Sequence, residues 1–88
     1  MPDKNGGDFM RLYLSNIRQN KGLSQRKVAR EAGISFQHYS MIESGERGGK
    51  VSFLIVGRIA KALDISLDDF YKLECEYQDS LDLDKESY

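Results

Sequence analysis

Residues 23–45 read LSQRKVAREAGISFQHYSMIESG, and the placing of serine, alanine and glycine in this run decides the fold. Ser24 stands where an N-cap belongs, and the short helix after it turns Val28 and Ala29 inward while Gln25, Arg26, Lys27 and Arg30 stay outside. Gly33 ends that helix. Ser35 caps another that runs to about Ser44, in which Tyr39 and Ile42 share a buried face at i, i+3 spacing, and Gly45 stops it. Ala29 has to be small where the second helix crosses above it, Gly33 lets the chain turn sharply, and Ile34 with Ile42 clamps the pair at a fixed angle. Two short helices joined in this way form a helix-turn-helix, and the outer face of residues 35–44 is presented as a rigid unit.

Working outward, residues 1–7 contain Pro2, Gly6 and Gly7 without apolar periodicity and read as a flexible arm. Asp8 is expected to cap a helix from about Phe9 to Lys21, with Met10, Leu14 and Ile17 on one face and Gly22 just past its end. Beyond Gly45, the loop of residues 46–51 holds Gly48 and Gly49 with Arg47 and Lys50, a basic connection able to approach a phosphate backbone closely. Ser52 opens a fourth helix through Leu63, and Ser66 with Asp69 makes a capping-box-like start to a fifth. No strand alternation, repeat or low-complexity run interrupts this pattern. The expected fold is all-α, a compact five-helix bundle in one domain over residues 8–74.

Residues 75–88 form an acidic tail. Phe70, Leu73, Tyr77 and Leu81 recur at helical spacing, so helix 5 is expected to continue into it, with Glu74, Glu76, Asp79 and Asp82 facing water. Such a stripe needs a partner, and the twofold mate of a dimer would supply one. The rival reading is an acidic, disordered end that repels phosphates.

Of the 88 residues, 40% are apolar and 31% charged, which suits one folded domain and excludes a core-poor disordered chain. No apolar run reaches the eighteen or so residues of a membrane span, and residues 1–7 are polar rather than signal-like, so a cytoplasmic protein without a membrane partner is expected. The net charge of −1 hides an asymmetry: residues 1–63 carry 11 Lys or Arg against 5 Asp or Glu, and residues 64–88 carry 2 against 9. A basic body with an acidic tail suits a nucleic-acid partner. One cysteine, Cys75, and one histidine, His38, are too few for a structural metal site, and no cofactor is called for. Glu43, His38 and Asp68 supply no nucleophile with an oriented base, and no Gly-rich phosphate loop follows a strand, so an enzyme is not expected.

The ordered set Leu23-Ser24-Gln25, Val28-Ala29, Ala32-Gly33-Ile34-Ser35, Tyr39-Ser40 and Ile42-Glu43-Ser44-Gly45, followed by Ile59-Ala60-Lys61-Ala62-Leu63 and Ile65-Ser66-Leu67-Asp68-Asp69-Phe70, resembles the Cro/phage-repressor (Xre-like) helix-turn-helix family over residues 9–71. The resemblance implies a lambda-repressor-like DNA-binding fold whose element Ser35–Ser44 enters the major groove of double-stranded operator DNA. It implies that Phe36, Gln37 and Met41 face base edges with Ser40 nearby, and that Arg18 pairs with Glu43 as scaffolding. A glutamine amide can donate to and accept from an adenine edge at once, which makes Gln37 the best direct reader. Phe36 and Met41, neither usual at the family's reading positions, have two readings: contacts to thymine methyl groups, or an apolar surface for a protein.

Phosphate contacts are expected from Gln25 on one side and from Arg47, Lys50 and Ser52 on the other, with Arg26 and Lys27 adding to the field. The expected function is a sequence-specific regulator of transcription, a repressor binding a palindromic operator as a homodimer. The alternatives are a restriction-modification controller, an antitoxin-type autorepressor, or a helix-turn-helix scaffold turned to protein contact, with the acidic tail as a further candidate surface for a protein partner.

Overall fold

In the computed structural model, which describes residues 10–45 and 51–85 and the side chains of these through residue 81, four serines set four of five helix starts. The helices are α1 (Leu12–Asn20), α2 (Gln25–Ala32), α3 (Phe36–Ser44), α4 (Phe53–Leu63) and α5 (Leu67–Lys85). The hydroxyls of Ser24, Ser35, Ser52 and Ser66 accept from the backbone N–H groups of Lys27, His38, Ile55 and Asp69 at 3.0, 2.9, 3.2 and 3.0 Å. Each satisfies one of the donors that a helix leaves orphaned in its first turn.

Gly33 and Gly45 close α2 and α3 with φ of 74° and 78°, a left-handed conformation that favours glycine. Asp64 ends α4 in the same conformation, φ 58°, with a side chain that tolerates it better than most.

α1 starts later than its apolar spacing suggests. Arg11 stands outside the helix as its N-cap, with ψ of 76°, and its backbone N–H donates to the Glu43 carbonyl at the end of α3, 2.8 Å away. That tertiary acceptor satisfies one of the donors that a helix start leaves orphaned, and no side chain caps α1. Met10 is 37% exposed and stands outside the core, while Leu14 is fully buried. The expected start near Phe9 is thus too early, and the expected Asp8 cap and the arm of residues 1–7 lie outside the described residues.

The core is a continuous cluster of Leu14, Val28, Ala29, Ala32, Tyr39, Ile42, Ile59, Ala60, Leu63 and Phe70. Ala29, Ala32 and Ala60 are its small members, and they suit the close approach of α2 to its neighbours. Among the described residues no strand occurs, and no helix is long and apolar enough to cross a membrane.

α5 runs unbroken into the acidic tail, and its face at Phe70, Glu74 and Tyr77 packs on the start of α1. The Tyr13 ring lies 5.9 Å from the Phe70 ring in an edge-to-face contact and 6.5 Å from that of Tyr77. The Arg11 guanidinium sits 4.6 Å over the Tyr77 ring. Leu81 is buried as well. Glu74 departs from the expectation that it faces water: it accepts from Arg11, Tyr13 and Gln78. Glu76 and Asp79 are exposed, and the Asp82 side chain lies outside the described residues.

Candidate nucleic-acid interface

α3 is anchored by one face. Tyr39, Ile42 and Glu43 are buried, and the 3.6-residue period then turns Gln37 and Met41 away from the core. Phe36, Gln37 and His38 are exposed, while Ser40 and Met41 are half-buried. Among the described residues the Gln37 amide makes no hydrogen bond, so both its donor and its acceptor remain open to an incoming partner.

The orientation of this helix is held by one carboxylate. Glu43 accepts from Arg18 Nε at 2.6 Å and Nη2 at 3.3 Å, from the Tyr39 hydroxyl at 2.7 Å and from Gln25 Nε2 at 2.9 Å. Arg18 also donates from Nη1 to the Leu23 carbonyl at 2.9 Å, fixing the entry to α2. α1, α2 and α3 therefore meet at Glu43, which is 2% exposed. Burial alone would raise its pKa, but the hydrogen bonds from Arg18, Tyr39 and Gln25 together with the Arg18 charge outweigh burial and hold the carboxyl below the usual range. Burial, and then the bond to Glu43, push the Tyr39 phenol well above its usual range.

The residues named from sequence for phosphate contact fall into three states. Gln25, at the first helical position of α2, has one of its two amide N–H groups committed to Glu43. The Ser52 hydroxyl caps α4 as an acceptor, which leaves its own O–H free to donate. Arg47 and Lys50 lie outside the described residues. Lys27 pairs with Glu31 at 3.3 Å, both about half exposed, a surface contact of small energetic weight.

Arg26 does something the sequence did not suggest. Its guanidinium carbon lies 4.3 Å from the centroid of the Phe36 ring, a cation–π stack of about 0.5–1 kcal/mol at an exposed site. The first turn of α2 contains no acidic residue and carries both Arg26 and Lys27. Cations at the positive end of a helix dipole cost about 0.3–1 kcal/mol each, an expense that an arriving anion reverses. The N-terminal side of the helix-turn-helix is thus electropositive where its reading face begins, with Arg26 unpaired by any carboxylate among the described residues and Lys27 held only by its surface contact with Glu31.

The group that sequence reasoning missed is Arg11, Tyr13, Glu74 and Tyr77. Glu74 lies four residues after Phe70 and three before Tyr77, on the apolar stripe itself, and that register was the available signal. Arg11 gave none, since its burial depends on α5 returning to it. Among the described residues no group of acidic, histidine or cysteine side chains could hold a metal ion.

Comparison with known proteins agrees with this geometry. A family model described as helix-turn-helix matches residues 14–70. YqaF of Bacillus subtilis (strain 168), an uncharacterized HTH-type transcriptional regulator, is 35% identical over 67 residues, covering 76% of this chain and 86% of its own. Two crystal structures of the clp gene regulator ClgR from Corynebacterium glutamicum superpose with TM-scores of 0.65 and 0.67 at 22% identity. They cover 84% and 98% of this chain and 94% and 86% of theirs. At that identity the likeness is one of fold.

Proposed function

The chain belongs to the Xre/Cro-like helix-turn-helix family, whose members are regulators of transcription rather than enzymes, and from that premise we propose that it is a sequence-specific DNA-binding repressor acting in the cytoplasm. The observation that carries the reading is α3 itself: a helix locked by Glu43 on its inner side, with an uncommitted Gln37 on its outer side and two cations in the acid-free first turn of the neighbouring helix.

α3 lies in the major groove, and the Gln37 amide bridges the two hydrogen-bonding positions of adenine. Phe36 and Met41 contact thymine methyl groups, and Ser40 sits beside them. Gln25, Ser52, Arg47 and Lys50 hold phosphates, with Arg26 and Lys27 adding to the electrostatic attraction. Arg18 and Glu43 keep the angle of α3 and touch no base.

The protein acts as a homodimer on a palindromic operator, with half-sites about 34 Å apart. Support comes from apolar side chains that one protomer leaves in solvent: Phe53 at 83% exposure, Leu54 at 61%, Leu67 at 50% and Tyr71 at 71%. Occupancy of the operator then excludes polymerase.

Selection of bound duplexes from a random DNA pool tests the proposal. Enrichment of one two-fold symmetric sequence is expected. A pool that remains random after repeated rounds, together with capture of a protein through α3, would replace the DNA reading with that of a protein adaptor.

A further inference from the structure

We propose that Arg26 and Phe36 act as one specificity-determining unit, in which the guanidinium stacks on the ring, holds it in one orientation at the reading face and donates from its edge to a phosphate while the ring meets a thymine 5-methyl group. This deepens the DNA-binding reading and rests on it.

Arg26 is the second residue of α2 and Phe36 the first of α3, so the stack joins the N-terminal ends of the two helices of the motif. Phe36 is 39% exposed, unusually open for a phenylalanine that already has a partner, and one face of its ring is covered by the guanidinium while part of the ring is left for another contact. A free phenylalanine at a helix start samples several rotamers, and a stacked cation narrows them. The guanidinium is a plane whose five N–H donors lie around its rim, so a cation held over the ring keeps donors for a second partner. Among the described residues none of these donors is committed to a hydrogen bond or an ion pair.

The chemistry of the two surfaces names their ligands. In the major groove the apolar protrusion is the thymine C5-methyl, and the anion alongside is the backbone phosphate. One side-chain pair would thus convert a sequence-blind charge contact into a positional aid for reading a base. The pair also explains how phenylalanine, which cannot hydrogen-bond a base edge, serves at a reading position.

The test uses the full chain and the duplex enriched from a random pool, with each thymine of a half-site replaced in turn by uracil, which keeps the base pair and lacks only the methyl. Wild type is expected to lose about three- to tenfold in affinity at one position, the scale of one buried methyl group or slightly more. Phe36→Ala removes that sensitivity, and Phe36→Leu retains part of it through its own apolar contact. Arg26→Ala weakens all sequences and also reduces the uracil effect to less than about twofold. Arg26→Lys, which keeps the charge but cannot stack as a plane, restores the general affinity and not the uracil effect.

A uracil effect of wild-type size in Arg26→Ala would overturn the proposal and leave Arg26 as a phosphate contact only. Enrichment of a sequence with no uracil-sensitive thymine would overturn it while leaving DNA binding intact. Failure to enrich any sequence would remove the DNA reading and the pair with it.

Discussion

Arg11 and Glu74 stand sixty-three positions apart and meet in a two-pronged ion pair, with Nε and Nη2 of the guanidinium donating to the two carboxylate oxygens at 2.9 and 2.7 Å. The same guanidinium donates from Nη1 to the Ile42 carbonyl at 2.8 Å, near the end of α3. α5, the segment before α1 and the reading helix therefore share one cation. The Arg11 side chain is 2% exposed and that of Glu74 17%, so water screens the pair little.

Glu74→Ala removes the two charge-assisted hydrogen bonds that Arg11 donates to this carboxylate, along with those from Tyr13 and Gln78, and a loss of at least about 1.5 to 3 kcal/mol of stability is expected. Truncation after Lys72 removes Glu74 and Tyr77 together and is expected to cost at least as much. Denaturant titration measures both. A midpoint within error of wild type for Glu74→Ala would mean that this pair does not tie α5 to the start of α1.

Glu43→Ala removes the buried acceptor shared by Arg18, Tyr39 and Gln25, and a loss of about 3 to 5 kcal/mol is expected because the largely covered Arg18 guanidinium, 12% exposed, loses its carboxylate. Tyr39→Phe removes one hydrogen bond to a charged group and is expected to cost about 1.5 to 3 kcal/mol. Thermal melting orders the two. A larger effect of Tyr39→Phe than of Glu43→Ala would contradict the central place given to the carboxylate.

Stability is expected to be level from about pH 5 to about pH 9 and to fall on both sides. Glu43 and Glu74 are held below the usual carboxylate range: burial of each opposes this, but the bonds from Arg18, Tyr39 and Gln25 and those from Arg11, Tyr13 and Gln78 prevail. The unfolded chain then binds more protons than the folded one as pH drops through about 4.3, so stability present above that value is lost below it. Tyr13 and Tyr39 are pushed up, first by burial and then by their bonds to Glu74 and Glu43. Their contribution is present below about pH 10 and is lost as the pH rises further. Melting temperature against pH gives the profile, and Glu43→Gln should flatten part of its acid limb.

Gln37→Ala is expected to relax preference at one base pair of each half-site by about 1 to 3 kcal/mol, whereas Lys50→Ala weakens all sequences alike. Competition binding against base-substituted operators separates these effects. Equal losses on cognate and random DNA for both variants would reverse the assignment of roles.

The helix-turn-helix was legible because its signals are local: a serine at each start, a glycine at each end, and the Tyr39/Ile42 spacing between them. The start of α1 was not, since the acceptor that receives the Arg11 N–H at that start is the Glu43 carbonyl, thirty-two residues away in sequence. Glu74 was misread for the opposite reason, its register being visible but its charge suggesting water. The Arg26 and Phe36 stack depends on the crossing of two helices, and no spacing rule along one chain reports where a long cation comes to rest. The outward face of α3 could be named because Tyr39 and Ile42 fix it from the inside.

The claim that α3 and its basic flanks bind operator DNA is tested most directly by the affinity of the intact protein for its selected duplex and for random duplex, measured across a range of salt. A dimer making about 6 to 10 phosphate contacts should give a log–log slope near −5 to −9. The selected duplex should bind at least about a thousandfold more tightly than random DNA. A flat salt response, or equal affinity for both duplexes, would contradict the account.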